Sequence, residues 1–91
     1  MLYAIICNDK PGELQTRLDN REAHLAHIDA SGGAIVQAGP FLDAQGKMCG
    51  SLLIMDAEEI SAVEAWAADD PYAKAGLFES VSIRPWKRVI G

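Results

Sequence analysis

The chain has 91 residues, which leaves room for one domain, and a content of 49% hydrophobic and 23% charged residues is typical of a folded protein and excludes intrinsic disorder. Eight Lys and Arg against 13 Asp and Glu give a formal net charge of −5, which disfavours nucleic acid and an anionic membrane surface as partners. We therefore predict a single domain over residues 1–91.

The first third of the chain predicts a strand followed by a helix. Leu2–Cys7 is a short apolar run that ends at a polar turn, as a strand does. Over Glu13–Ala30 the apolar residues recur at helical spacing. Asp19 followed by Glu22 resembles a capping box, and it leaves room for a break at which a second helix would start.

The rest of the chain predicts two strands, a helix, a helical turn and a final strand, over Ala34–Leu42, Cys49–Met55, Ala57–Ala68, Tyr72–Gly76 and Glu79–Val89. Because proline cannot donate to a ladder, Pro40 indicates an edge strand or a strand end. The order β-α-β-β-α-β predicts an α+β, ferredoxin-like fold, with a four-stranded antiparallel sheet and two helices on one face.

Both faces of the predicted sheet are apolar. On the first strand, alternate positions are apolar on each side, with Tyr3, Ile5 and Cys7 on one and Leu2, Ala4 and Ile6 on the other. Helices on one face leave the second face without a cover. We expect self-association through this open face, and a two-fold homodimer is the commonest form of it.

The two cysteines, Cys7 and Cys49, each stand inside an apolar segment. Without a paired spacing they predict neither a metal site nor a disulfide scaffold, so we interpret both as reduced thiols of the core. The first residues lack the basic leader and apolar run of a secretory signal, and no segment is apolar for long enough to span a membrane. The expected location is the cytoplasm.

The first helix carries the most informative polar residues. With about 100° per residue, Arg21 falls in the middle of an apolar stripe, His24 falls on its flank and His27 falls farther round towards water. The stripe consists of Leu14, Leu18, Leu25 and Ile28. A guanidinium on a packed face requires a carboxylate, carbonyls or an anionic ligand, unless it extends its head into water. His24 is by itself either a catalyst or a boundary residue of the core.

A second candidate stands before the helical turn. Asp70 followed by Pro71 is a favourable N-cap with proline at the first helical position, which gives the aspartate a structural role. Alternatively, Asp70 orients an imidazole that exchanges a proton near neutral pH. Spacing alone does not say whether Asp70 and His24 meet. Trp66 and Trp86 are interpreted as packing or interface residues, and no nucleotide, zinc or serine-hydrolase motif is present.

Several weak motifs, in a fixed order, resemble the YCII-like family (YciI-related proteins). They are Met1-Leu2-Tyr3, Arg21-x-x-His24-Leu25, Ala38-Gly39-Pro40, Gly50-Ser51, Asp70-Pro71-Tyr72, Ala75-Gly76-Leu77 and the run Val81–Trp86. The resemblance covers nearly the whole chain. It implies a dimeric α/β-barrel of two ferredoxin-like subunits, and a His–Asp pair in a cleft, which by motif is His24 with Asp70.

The resemblance also implies a class of chemistry, because relatives include chloromuconolactone dehalogenases that act without cofactor or metal. We expect Asp70 to orient His24, which takes a proton during elimination, isomerisation or hydrolysis of a small carboxylate or lactone. Arg21 would hold a substrate carboxylate. The other substrate-binding candidates are Gly39, Pro40, Ser51 and Tyr72. Two alternatives stay open: a non-catalytic dimer that binds or senses a small molecule, and a purely structural dimer.

Overall fold

The computed structural model describes residues 1–91 and contains four strands and four short helices. In chain order they are β1 (Leu2–Asp9), α1 (Leu14–Asp19), α2 (Arg21–Asp29), β2 (Ile35–Leu42), β3 (Met48–Asp56), α3 (Ile60–Ala68), α4 (Pro71–Lys74) and β4 (Phe78–Trp86). The strands form one sheet in the order β2-β3-β1-β4, and every neighbouring pair is antiparallel. This confirms the ferredoxin-like α+β sheet, with β2 and its Pro40 at an edge. No helix is long and apolar enough to cross a membrane.

The helices pack on one face of the sheet. Tyr3, Ile5 and Cys7 of β1 form the core there with Leu53 and Met55 of β3 and Val63 of α3. Ile28 of α2 packs against the same cluster. Two helices from different parts of the chain thus share one core, because alternate residues of the central strands project to the same side.

The opposite face of the sheet is apolar and has no helix over it. Direct pairing places Ile6 beside Leu52, and Leu2 beside Trp86, on this face. The Leu52 and Trp86 residues are 36% and 38% exposed. The apolar residues predicted for the second face are therefore present, and part of their surface is open to solvent.

The first helical segment breaks at Asn20, between α1 and α2. The break lies close to the position at which the sequence allowed a second helix to start. The predicted capping box of Asp19 and Glu22 does not form there, because Asn20 is the N-cap of α2 and makes no side-chain cap bond. The Asn20 amide instead donates to the Thr16 carbonyl at 2.8 Å. Because the break changes the phase, the single apolar stripe is wrong, and Leu18 and Leu25 stay 47% and 41% exposed.

Several predicted boundaries shift, and the two largest shifts are at the start of α3 and the end of β4. The third helix begins at Ile60 rather than Ala57, because the Ala57 N–H donates to the Met1 carbonyl at 3.0 Å and holds the chain alongside β1. The last strand ends at Trp86 rather than Val89, which is 84% exposed beyond the sheet.

The prediction that both cysteines lie in the core is wrong for one of them. Cys7 is buried, whereas Cys49 is exposed. Cys49 is the second residue of β3, and it lines a groove with the β1–α1 loop and the β2–β3 turn. Its exposure shows that an apolar neighbourhood in sequence does not by itself bury a thiol.

Candidate functional site

The His24 and Asp70 side chains meet in the structure. Nδ1 of His24 lies 2.9 Å and 3.1 Å from the two carboxylate oxygens of Asp70. The two side chains are 9% and 3% exposed. Since Nδ1 faces Asp70, the other ring nitrogen, Nε2, is left without a hydrogen bond inside the chain.

A helix terminus fixes the position of Asp70. Asp70 is the N-cap of α4, and its Oδ1 accepts a hydrogen bond from the Tyr72 N–H at 2.9 Å. Pro71 occupies the first helical position, as the sequence predicted. The structural and functional interpretations of Asp70 are therefore compatible, because one carboxylate both caps α4 and contacts His24.

Tyr72 connects the His–Asp pair to a buried arginine. Its ring stacks on the His24 imidazole, with centroids 4.0 Å apart and planes 15° from parallel. The guanidinium carbon of Arg17 lies 4.7 Å from the centroid of the same ring, within cation–π range. Phe78 packs edge-on against Tyr72 at 6.1 Å. These contacts restrict the rotation of the imidazole and hold its plane.

Arg17 is held by a network of its own. Its Nε and Nη2 donate to the two oxygens of Asp9 at 2.7 and 2.8 Å, and Nη2 also donates to Ser51 Oγ at 2.9 Å. The Arg17 and Asp9 side chains are 3% and 6% exposed. Burial alone would lower the pKa of Arg17, but the hydrogen bonds and charge of Asp9 outweigh it and raise this pKa.

These groups surround one pocket with a cavity volume of about 140 Å³. Arg17, His24, Ser51 and Tyr72 form its polar lining. The edge strand β2 contributes its segment Ala38–Pro40 to the pocket wall, and apolar side chains of α2 and β3 complete the lining. Arg21 lines the pocket too, but it is exposed rather than packed in an apolar stripe, which corrects the helical-wheel prediction.

Burial shapes the electrostatics of the groups around the pocket. It raises the pKa of the Cys7 thiol to about 12, and the negative charge of Asp70 adds to the rise. Burial also raises the pKa of the Tyr72 hydroxyl, although the positive charges of Arg17 and Arg21 oppose this. Cys7 and Tyr72 therefore stay protonated near neutral pH.

The arrangement can accept a proton from a bound molecule and can donate hydrogen bonds to its oxygens. An imidazole that has a carboxylate on one nitrogen and a pocket at the other is suited to general acid–base chemistry. No group of three or more His, Cys, Asp and Glu side chains is placed to hold a metal ion.

The family model of the YCII-related domain matches residues 1–87 of the chain. The chain belongs to the YCII family. The resemblance stated from the sequence motifs is thereby confirmed. Protein YciI of Escherichia coli O6:H1 is 39% identical to this YCII protein over an alignment that covers 98% of the chain and 99% of the relative.

Solved structures similar to this YCII protein include one of an enzyme. The 5-chloro-2-hydroxyhydroquinone dehydrochlorinase TftG of Burkholderia phenoliruptrix, in complex with 2,5-dihydroxybenzoquinone, is 41% identical, with a TM-score of 0.90 over 96% of this chain and 94% of that chain. A NIPSNAP family protein of Agrobacterium tumefaciens is 20% identical, with a TM-score of 0.56 over 91% of this chain and 87% of that one. The second likeness concerns the fold alone.

Six of the seven sequence-predicted site residues line the pocket, and the seventh, Asp70, contacts the pocket residue His24. His24, Asp70 and Tyr72 form one connected group, and Ser51 joins it through Arg17. Arg21, Gly39 and Pro40 line the cavity.

Sequence reasoning missed Arg17 and its partner Asp9. No sequence signal located them, because the break at Asn20 places Arg17 on α1 and Arg21 on α2, so helical spacing does not relate the two positions. The prediction that His27 faces water is wrong, because its side chain is half-buried. Its ring stacks on that of Trp66, with centroids 4.3 Å apart, and its Nε2 lies 3.0 Å from the Trp66 carbonyl oxygen.

Proposed function

We propose that this YCII protein is a small-molecule enzyme in which His24 accepts a proton from the bound substrate. The observation that carries the proposal is the contact between His24 Nδ1 and the Asp70 carboxylate, at 2.9 Å, beside a pocket lined by the same histidine. Asp70 holds the hydrogen on Nδ1, so that the lone pair of Nε2 is available, and it stabilises the imidazolium that forms.

The proposed step is proton abstraction from a carbon next to a carbonyl group. The C–H electron pair enters the adjacent bond, and the proton goes to Nε2 of His24. If the neighbouring carbon carries a leaving group such as chloride, that group departs with its bonding electrons, and the net reaction is elimination of hydrogen chloride. The proton then passes from His24 to water. Isomerisation follows instead if the proton returns at another carbon.

The substrate class is a small oxygenated ring or a small carboxylate or lactone. A cavity of about 150 Å³ holds benzene in a protein interior. The volume here, about 140 Å³, therefore suits one six-membered ring. The ligand in the similar dehydrochlorinase structure is a dihydroxybenzoquinone, and this supports a ring of that kind. In this proposal Arg21, which is exposed at the pocket, holds a substrate carboxylate, and Gly39 and Pro40 form part of the pocket wall.

The test is turnover by purified wild-type, His24→Gln and Asp70→Asn proteins. Chlorinated hydroxyquinols, chlorinated lactones and small carboxylic acids are screened for chloride release and for changes in ultraviolet absorbance. We expect kcat to fall by about 10²–10⁴-fold in His24→Gln, since that is the usual contribution of general acid–base catalysis. His27→Gln is the matched control, because it removes the other histidine, which contacts Trp66 outside the pocket lining. Turnover that survives in both dyad variants would contradict the proposal.

A non-catalytic binding module is the second candidate function, and the open polar lining of the pocket is compatible with it. In that case 2,5-dihydroxybenzoquinone would raise the melting temperature of the wild-type and His24→Gln proteins equally, and no compound would be turned over. Melting temperatures measured with this compound, read together with the turnover screen, thus separate binding from catalysis.

We also propose that residues 1–91 form one domain and that two copies associate as a homodimer through the open sheet face, closing an α/β-barrel. Support comes from the apolar side chains on that face, among them Ile6, Leu52 and Trp86, which no element of the chain covers. A two-fold axis allows the same face to serve on both copies.

A further inference from the structure

The guanidinium of Arg17 is bound along one edge only. Its Nε and Nη2 are used by Asp9 and Ser51, at 2.7 to 2.9 Å. Of the five N–H donors of an arginine, these bonds use three. The two donors on Nη1 are used by neither Asp9 nor Ser51. Because Arg17 lines the pocket and its bound edge faces Asp9, the edge with Nη1 is the part available to a bound molecule.

Two further donors lie at the same place. Ser51 Oγ accepts from Arg17, which leaves its own hydrogen free to donate. The Tyr72 hydroxyl interacts with Arg17, and a hydroxyl that accepts from a guanidinium keeps its own hydrogen to donate. The Tyr72 ring contacts Arg17 and His24. Ser51 and Tyr72 both line the pocket. The pocket lining therefore includes three groups that have a hydrogen to donate to a ligand oxygen: Arg17, Ser51 and Tyr72.

The charge of this group is already balanced. Asp9 neutralises Arg17 in a pair whose side chains are 3% and 6% exposed. A neutralised, fixed donor set binds a carbonyl oxygen weakly and binds the same oxygen more strongly once it carries negative charge. Arg21 differs in both respects, since it is exposed and has no carboxylate partner among the ion pairs of the chain.

We propose that Arg17, with Ser51 and Tyr72, forms an oxyanion site that binds the substrate carbonyl oxygen and stabilises the enolate formed when His24 removes the neighbouring proton. This inference rests on the proposed function and narrows its substrate class to carbonyl compounds that form an enolate or a phenolate. In the step, the C–H bond breaks, its electron pair forms a C=C bond, the carbonyl oxygen becomes negative, and the proton goes to Nε2 of His24.

The same site should favour the ionised form of a phenol, since a phenolate oxygen resembles an enolate oxygen. The probe is 4-nitrophenol, whose ionised form absorbs visible light, titrated with pH in the presence and absence of saturating protein. We expect bound 4-nitrophenol to ionise at a lower pH than the free compound. In Arg17→Gln this displacement should disappear, and affinity for the ionised form should fall about tenfold or more, as for a lost charge-assisted hydrogen bond.

Variants are chosen so that a folding defect cannot obscure the result. Because Arg17→Gln leaves a buried Asp9 carboxylate without its partner, the double variant Asp9→Asn/Arg17→Gln removes both charges together. Ser51→Ala removes one donor and should give an intermediate loss. Lys47→Gln, which removes an exposed positive charge outside the pocket lining, is the control and should bind 4-nitrophenol as the wild type does.

The outcome separates this inference from the proposed function. His24→Gln should lose turnover but keep the displaced ionisation of 4-nitrophenol, since its oxyanion donors are intact. If wild-type protein leaves the ionisation of 4-nitrophenol unchanged, or if the folded double variant displaces it as much as the wild type, the oxyanion site is refuted. Loss of turnover in His24→Gln would then still support the proposed function.

Discussion

Cys7 shows how one buried group links pH to stability. Burial raises its pKa to about 12, from an ordinary value of 9.0. In the unfolded chain the thiol ionises above pH 9.0, while in the folded protein it stays protonated until about pH 12. Cys7 therefore contributes its full stabilisation of the folded state below pH 9.0. This contribution is lost as the pH rises from 9.0 towards the folded-state pKa of about 12.

We expect the free energy of unfolding to fall with pH in this alkaline range, with a slope of up to about 1.4 kcal/mol per pH unit from this one group. Urea denaturation at several pH values measures the slope. Cys7→Ala should flatten it. Cys49→Ala should not, because that thiol is exposed in the folded protein. Equal slopes in the wild type and Cys7→Ala would show that Cys7 is not protected in the folded state.

Individual residues also mark the limit of what the sequence could predict. The His24–Asp70 pairing joins positions 46 residues apart, and neither periodicity nor spacing reports such a distance. The family motifs drew attention to both residues. Arg17 belonged to no motif, and its burial depends on Asp9, the last residue of β1, being placed beside α1 by the fold. A charged residue looks solvated in sequence unless its partner is known.

At the scale of elements, α4 is a helix of four residues that depends on its N-cap. Its cap residue Asp70 accepts from the Tyr72 N–H and also contacts His24. Substitution can separate the capping of α4 from the contact between the carboxylate and His24. Asparagine keeps the cap but removes the carboxylate, whereas alanine removes both.

We expect Asp70→Ala to unfold at a lower urea concentration than Asp70→Asn, with an additional loss of about 0.5–2 kcal/mol for the missing cap. If the proposed function is correct, both variants lose turnover, since both remove the carboxylate that we propose orients His24. Chemical denaturation and kcat measured on the same preparations test this. Equal stability of the two variants would mean that the cap contributes little to α4.

Elements were predictable where local rules decide them. Short apolar runs located β1, β2 and β3, alternating apolar residues located β4, and Asp70-Pro71 located the start of α4. The phase of the α1–α2 segment was not predictable, because the break at Asn20 rotates one half relative to the other. A helical wheel that assumes continuity therefore placed Arg21 in an apolar stripe.

At the scale of the whole molecule, the open sheet face is an apolar surface that has no helix of the same chain packed over it. We expect the protein to be a dimer by sedimentation or light scattering. Leu52→Glu, which places a charge on that face, should shift it to monomers, because an isologous contact would carry the charge twice.

Leu18→Glu is the matched control. Leu18 is similarly exposed, at 47%, but it lies on α1, away from the open face, and it does not line the pocket. The Leu18→Glu protein should stay dimeric. A monomeric wild-type protein, or equal dissociation of both variants, would contradict association through this face.

The fold as a whole followed from the order of the elements and from the apolar alternation of the central strands. The geometry of the site could not follow in the same way, because it depends on side-chain contacts between β1, α1, α2, β3 and α4 that no local sequence pattern reports.

The most direct test of the His24–Asp70 assignment is a long-range ¹H–¹⁵N spectrum of the His27→Gln protein, in which His24 is the only histidine. For the neutral imidazole we expect the tautomer with its hydrogen on Nδ1, which faces Asp70, and a lone pair on Nε2. We also expect the Nε2 resonance to change when 4-nitrophenol fills the pocket. An Nε2–H tautomer, or an Nε2 resonance that stays unchanged when the pocket is filled, would contradict the account.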